Sequence, residues 1–215
     1  MKIVVTYVYP NIGSAAYNDY ARRFVSSYLK FPPGATEHAL LVLVNGGDFD
    51  NPTCRQIFSP LPCVFMPHDN SGYDIGAFQK AAATVPSDLC DLMVFLGSKV
   101  HFRCNGWLDR MIRVYAENGP GLYGAWAFHQ PAVHVRTTVF WCAPKLLNSY
   151  PETIVNHRRY EFEYGGKGLV HHVTGLGLKS YMTTWNGCYP QMNWHHVSNV
   201  ESLLLDQHTD RGGYT

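Results

Sequence analysis

A short unit recurs through the N-terminal half of this chain and limits what it can fold into. A continuous β-branched or aromatic run ends in a polar, usually glycine-bearing loop, and a stretch with helical spacing often follows. Ile3 to Val8 is the first run, apolar without alternation, as a strand buried on both faces must be. The loop from Tyr9 to Ser14 leads into Ala15 to Leu29, where apolar residues recur at helical spacing with Arg22 and Arg23 outward, and Phe31-Pro32-Pro33-Gly34 stops the helix. Ala39 to Val44 is a second strand, closing on Asn45-Gly46-Gly47-Asp48. Cys63 to Met66 is a third, running into His68 to Gly76, with a helix expected from Asp74 to Val85. Leu92 to Leu96 is a fourth, ending in Gly97-Ser98-Lys99. Such alternation predicts an α/β fold: a mostly parallel sheet flanked by helices, in a single domain, which the 215 residues suit.

Beyond these units the pattern loosens. Trp107 to Tyr115 reads as a helix, Leu122 to Phe128 and Val133 to Cys142 as strands, and Pro144 to Tyr150 as a short helix or turn. Tyr160 to Tyr164 alternates as a strand would, Leu169 to Leu176 reads as a helix, and Lys179 to Trp185 as a strand. Residues 186–215 are polar, aromatic and irregular, and are expected to fold back over a site as a lid. A net charge of +1 with no basic stripe argues against a nucleic-acid surface. No apolar run is long enough to span a membrane, and the opening Met1 to Val5 is too short for a signal-peptide core. Six scattered cysteines without a C-x-x-C pair suit reduced thiols, so a cytoplasmic protein is expected.

Open parallel sheets bind ligands beyond the carboxyl ends of their strands. Those ends are Thr6-Tyr7, Asn45 to Asp48, His68 to Gly76, and Gly97-Ser98-Lys99. Within the third, His68-Asp69-Asn70-Ser71-Gly72-Tyr73-Asp74-Ile75-Gly76-Ala77-Phe78 resembles the N-x-G-x-D-x-G-A segment of bacterial GT-A glycosyltransferases, notably those of rhamnose-rich polysaccharide synthesis. Leu92 to Ser98, Asn105-Gly106-Trp107-Leu108 and Val135 to Phe140 continue the match in order over roughly residues 1–190. The resemblance implies a Rossmann-like GT-A domain over residues 1–190. That domain would move a sugar from a nucleotide-diphospho-sugar to a glycan or lipid-linked acceptor. It puts Thr6, Tyr7, Asn45, Asn70, Gly72, Tyr73, Asp74, Ser98 and Lys99 at the nucleotide sugar.

One departure bears on chemistry. Many GT-A enzymes place Asp-x-Asp at the end of the fourth strand, where the carboxylates hold a divalent cation. This chain has Ser98-Lys99-Val100-His101 there. Lys99 can meet diphosphate charge itself, so no cofactor is expected to be required; Mn or Mg held by Asp206 and His208 is the alternative. A general base on the acceptor hydroxyl is sought in Glu161, Glu163 and Asp74, although Asp74 also suits a helix cap. Arg136 and Trp185 are the candidate acceptor contacts. Two rival readings are a catalytically inactive module that binds carbohydrate or a partner, and a nucleotidyltransferase. The second is disfavoured by the first loop, which has no glycine-rich, Lys/Arg-bearing pattern.

Overall fold

A computed structural model of the protein describes residues 1–130, 132–197 and 201–207. The first strand, β1 (Ile3–Pro10), is buried along its whole length because a parallel strand lies on each side of it. These neighbours are β2 (Ala39–Asn45) and β4 (Leu92–Leu96), and β3 (Cys63–His68) pairs parallel with β2 at the sheet edge. The other half of the sheet adds β6 (Gly121–Gly124), β9 (Val139–Cys142), β10 (Lys179–Thr183) and β11 (Cys188–Pro190). The eight strands lie in the order β11-β10-β6-β9-β4-β1-β2-β3, with β9 and β11 antiparallel to their neighbours.

Helices cover both faces, and side-chain alternation along the strands assigns each face its core. Val5, Tyr7, Tyr9, Val42, Val44, Val94 and Leu96 pack with α1 (Ala15–Lys30), α2 (Pro52–Phe58) and α4 (Trp107–Asn118). Val4, Val8, Leu41, Leu43, Met93 and Phe95 pack on the opposite side. They meet α3 (Tyr73–Thr84), α5 (Pro144–Asn148), α6 (Arg159–Tyr164) and α7 (Leu169–Gly175). Each helix hides a stripe of large side chains, with Phe24 and Trp107 fully buried, and such burial is worth about 1.5–3 kcal/mol per side chain.

Several expectations are corrected. The strand-like run Tyr160 to Tyr164 is helical, with Phe162 buried in the core and Glu163 turned toward Thr137. The two expected strands Leu122 to Phe128 and Val133 to Cys142 are each broken. The end of the first and the start of the second leave the sheet as β7 (Ala127–Phe128) and β8 (His134–Val135), which pair with each other. Within its described residues the tail is held by pairing: β11 joins the sheet, Trp194 is buried in a 3-10 helix at Gln191–His196, and β12 (Leu204–Leu205) pairs with β5 (His101–Phe102). Tyr214 and His208 lie outside the described residues. No helix among the described residues is long and apolar enough to cross a membrane.

A candidate active site at the strand ends

A cavity of about 520 Å³ opens at the carboxyl ends of β1 and β4. One wall is Pro10, Ile12 and Tyr17; the floor is Asn70 to Ile75 with Ser98 and Lys99. The far wall is Phe128, His134 and Arg136 to Thr138, with Arg159, Tyr160 and Glu163 above it and Asp206 and Gln207 beside it. A second cavity of about 770 Å³ lies behind the same loop, lined by His68, Asp69, Lys80 and Glu152 among others.

The loop before α3 builds the floor through unusual backbone. Asn70, Gly72 and Tyr73 all have positive φ, at 70°, 70° and 53°. Gly72 has no alternative: a Cβ there would sit 2.1 Å from the Ile154 carbonyl oxygen. Its N–H donates to Asn156 Oδ1 at 2.6 Å, which ties the loop to the segment leading into α6. Helix α3 starts one residue before the expected point, so Asp74 lies in its first turn and Gly72 occupies the cap. Asp74 therefore does not cap the helix.

Its carboxylate instead reaches the end of β4. A Cβ on Gly97 would meet Asp74 Oδ2 at 3.2 Å, and the carboxylate accepts from the Ser98 N–H. An acid thus stands at the place where an Asp-x-Asp would put one, delivered from a different element. Burial raises the Asp74 carboxyl to about 6, against the pull of the Ser98 N–H, Arg159 and Lys99. Lys99 projects over Tyr17 and Tyr20, 5.9 and 5.7 Å from their ring centroids.

The antiparallel strand β9 supplies the far wall, because Gly97 N–H donates to Thr138 O and brings residues 136–138 beside the end of β4. Arg136 Nε donates to Thr138 Oγ1 at 2.9 Å, and its Nη2 lies 3.5 Å from buried Asp206. Glu163 Oε1 accepts from the N–H and the hydroxyl of Thr137, at 2.8 and 3.0 Å. Among the described residues, no hydrogen bond engages the other oxygen, Oε2.

The cavity brings together Asn70, Gly72, Tyr73, Asp74, Ser98, Lys99, Arg136, Glu163 and Asp206. It does not bring in the others. Thr6 is fully buried and bonds to Val94 O, and Tyr7 stacks on Phe24 with centroids 3.9 Å apart, its hydroxyl spent on Ser98 O. Asn45 is buried against His68. Glu161 is 60% exposed and paired to Arg158, while Trp185 packs in the α4-side core. These side chains lie outside the cavity lining because strand ends and alternation give the neighbourhood but not which face a side chain takes. Arg159 and Tyr160 were missed because α6 was read as a strand. The run His157-Arg158-Arg159 was the signal available.

Among the described residues no three His, Cys, Asp or Glu side chains group as a metal site. Asp74 accepts from the Ser98 N–H and lies in the field of Arg159 and Lys99, and Asp206 stands 3.5 Å from Arg136.

No protein-family model matches the sequence, and no curated protein matches it. Solved structures do. A mannosyltransferase from Pyrobaculum calidifontis, in complex with GDP-Man and Mn2+, superposes with a TM-score of 0.62 at 10% identity, covering 87% of this chain and 56% of that one. Mouse xyloside xylosyltransferase 1 gives 0.49 at 11% identity, covering 82% and 81%. TarS residues 1–349 from S. aureus give 0.48 at 13% identity, covering 68% and 48%. The chain spans little more than half the length of the mannosyltransferase it resembles. With its mostly parallel sheet, helices on both faces and a cavity at the strand ends, this chain has the GT-A fold.

Proposed function

We propose that this chain is a glycosyltransferase that moves a sugar from a nucleotide-diphospho-sugar to a glycan or lipid-linked acceptor. One observation carries the reading: three cations, Lys99, Arg136 and Arg159, and three acids, Asp74, Glu163 and Asp206, face one cavity at the strand ends. The mannosyltransferase with the same fold binds GDP-Man, which supports a sugar nucleotide here. Asn70 to Asp74 would hold the nucleotide, and Ser98 and Lys99 the diphosphate. Arg136 would stand on the acceptor side.

Glu163 is the proposed general base. Thr137 clamps one carboxylate oxygen and leaves the other to accept the acceptor's proton. The acceptor oxygen bonds to the anomeric carbon as the bond from that carbon to the diphosphate oxygen breaks. The proton passes to Glu163, and the electron pair leaves with the nucleoside diphosphate beside Lys99. Glu161 points away into solvent and takes no part. All six cysteines are free, which suits a reducing compartment, and we assign the chain to the cytoplasm.

A ligand that binds only the folded state raises its melting temperature. Thermal-shift screening against UDP-, GDP-, dTDP- and CMP-sugars, with and without Mn2+, is the test. A response to at least one is expected, and a flat panel would overturn the reading. Binding without transfer to any acceptor would favour the inactive module instead, a reading supported by the missing acid pair at Ser98-Lys99.

A further inference from the structure

The acceptor end of the cavity carries a ring that the fold leaves half bare and yet holds still. Tyr160 is 49% exposed and lines the cavity. The Arg159 guanidinium lies over its ring, 4.4 Å from the centroid, and Nη2 donates to its hydroxyl at 2.6 Å. Tyr164 approaches the same ring, with centroids 5.5 Å apart. An exposed aromatic side chain normally gains nothing from such fixing. A rigid, amphipathic ring at a cavity mouth offers contact area without an ordering cost on binding.

Its place on α6 matters as much. Tyr160 and Glu163 stand three residues apart in one helix and both line the cavity. Residues so spaced are neighbours on one face, about 5–6 Å apart at Cβ. That is close to the width of one sugar ring. A pyranose lying with its C–H face on Tyr160 would carry a hydroxyl to the open oxygen of Glu163.

Resting on the glycosyltransferase reading above, the geometry points to a carbohydrate acceptor whose terminal pyranose packs on Tyr160, which makes Tyr160 a positioning residue for the hydroxyl deprotonated at Glu163. A lipid or peptide acceptor without a terminal sugar does not use this ring. The donor does not touch it.

Saturation-transfer NMR with the methyl pyranosides of glucose, galactose, mannose, rhamnose and N-acetylglucosamine tests this, using the full chain and its Tyr160→Ala and Tyr160→Phe variants. Melting curves first establish that each variant folds. The wild type is expected to bind at least one glycoside, Tyr160→Ala to bind it about tenfold more weakly, and Tyr160→Phe to restore most of the affinity. The sugar-nucleotide thermal shift should be the same in all three, and in a transfer assay acceptor KM should rise in the alanine variant while donor KM holds. Equal glycoside binding by wild type and Tyr160→Ala overturns the inference. So does the absence of any glycoside binding by a protein that responds to a sugar nucleotide, and that result leaves the donor reading standing. Glycoside binding that depends on Tyr160 without any sugar-nucleotide response keeps the carbohydrate site and sinks the transferase. Silence in both assays overturns both.

Discussion

Asp74 sits where its charge costs the fold something. Its carboxyl is raised from an ordinary value of 3.8 to about 6, mainly by burial. The folded chain therefore holds a proton that the unfolded chain releases, and stability falls as pH rises between about pH 4 and pH 6. The penalty at neutral pH is roughly 2–3 kcal/mol. Asp74→Asn should remove that slope and melt higher than wild type at about pH 7, as pH-dependent thermal denaturation would read; an unchanged slope would place the titration elsewhere. The same site should lose function: Asp74→Ala is expected to weaken sugar-nucleotide binding by more than about tenfold in a folded protein. Lys99 makes the complementary case. Donor titration in excess EDTA should give the affinity found with Mn2+, and Lys99→Gln should lower it about tenfold. Affinity that appears only on adding metal would return attention to Asp206 and His208. Gly72 shows the limit of sequence at this scale. A glycine in the loop was legible, but not that Ile154, far along the chain, fills the space a Cβ would need.

Elements were readable where their own residues dictate them. β1, β2 and β4 are continuous apolar runs because both faces are covered, while β3 at the sheet edge is partly exposed; the expected bounds of all four fall within two residues of those observed. Helix α2 was missed although Asn51 caps it by accepting from Thr53 N–H and Pro52 begins it, a local signal that was there to read. The paired pieces β5, β7, β8 and β12 are two residues each; β5 and β12 are not legible in the sequence, and β7 and β8 only as parts of longer expected strands. Pairing with distant residues makes them, and no local periodicity fits in two residues. β12 carries the clearest consequence. Leu203 and Leu204 are fully buried and set Asp206 and Gln207 in the cavity wall. Leu204→Ala should cost about 3 kcal/mol in denaturant unfolding and weaken donor binding along with it. The tail as a lid remains a proposal for residues 186–215. Hydrogen exchange should show Leu204 and Leu205 protected before donor is added, and further protection elsewhere in that range only afterwards. Equal protection throughout in both states would make the tail structural.

Across the whole molecule, the parallel half of the sheet carries the side of the cavity proposed for the nucleotide and the mixed half the side proposed for the acceptor. The first half follows from the chain's own alternation, which is why the fold was legible. The second half depends on β9 running against β4 and on α6 crossing above it, so the turn of Tyr160 and Glu163 toward the cavity is out of reach of pattern reading. The cavity wall is also drawn from opposite stretches of the chain: Pro10 and Asp206 both line it, and Asp206 holds Arg136 through a contact between two otherwise separate segments. Synthesis runs from one of these residues to the other at about 5–20 residues per second. A growing chain can therefore assemble β1 to β4 and their helices long before Asp206 exists. For that interval, about 5–20 seconds between Lys99 and Asp206, the nascent protein has the floor of the cavity but an unfinished wall. The ion pair between Arg136 and Asp206 thus forms only once translation has passed residue 206.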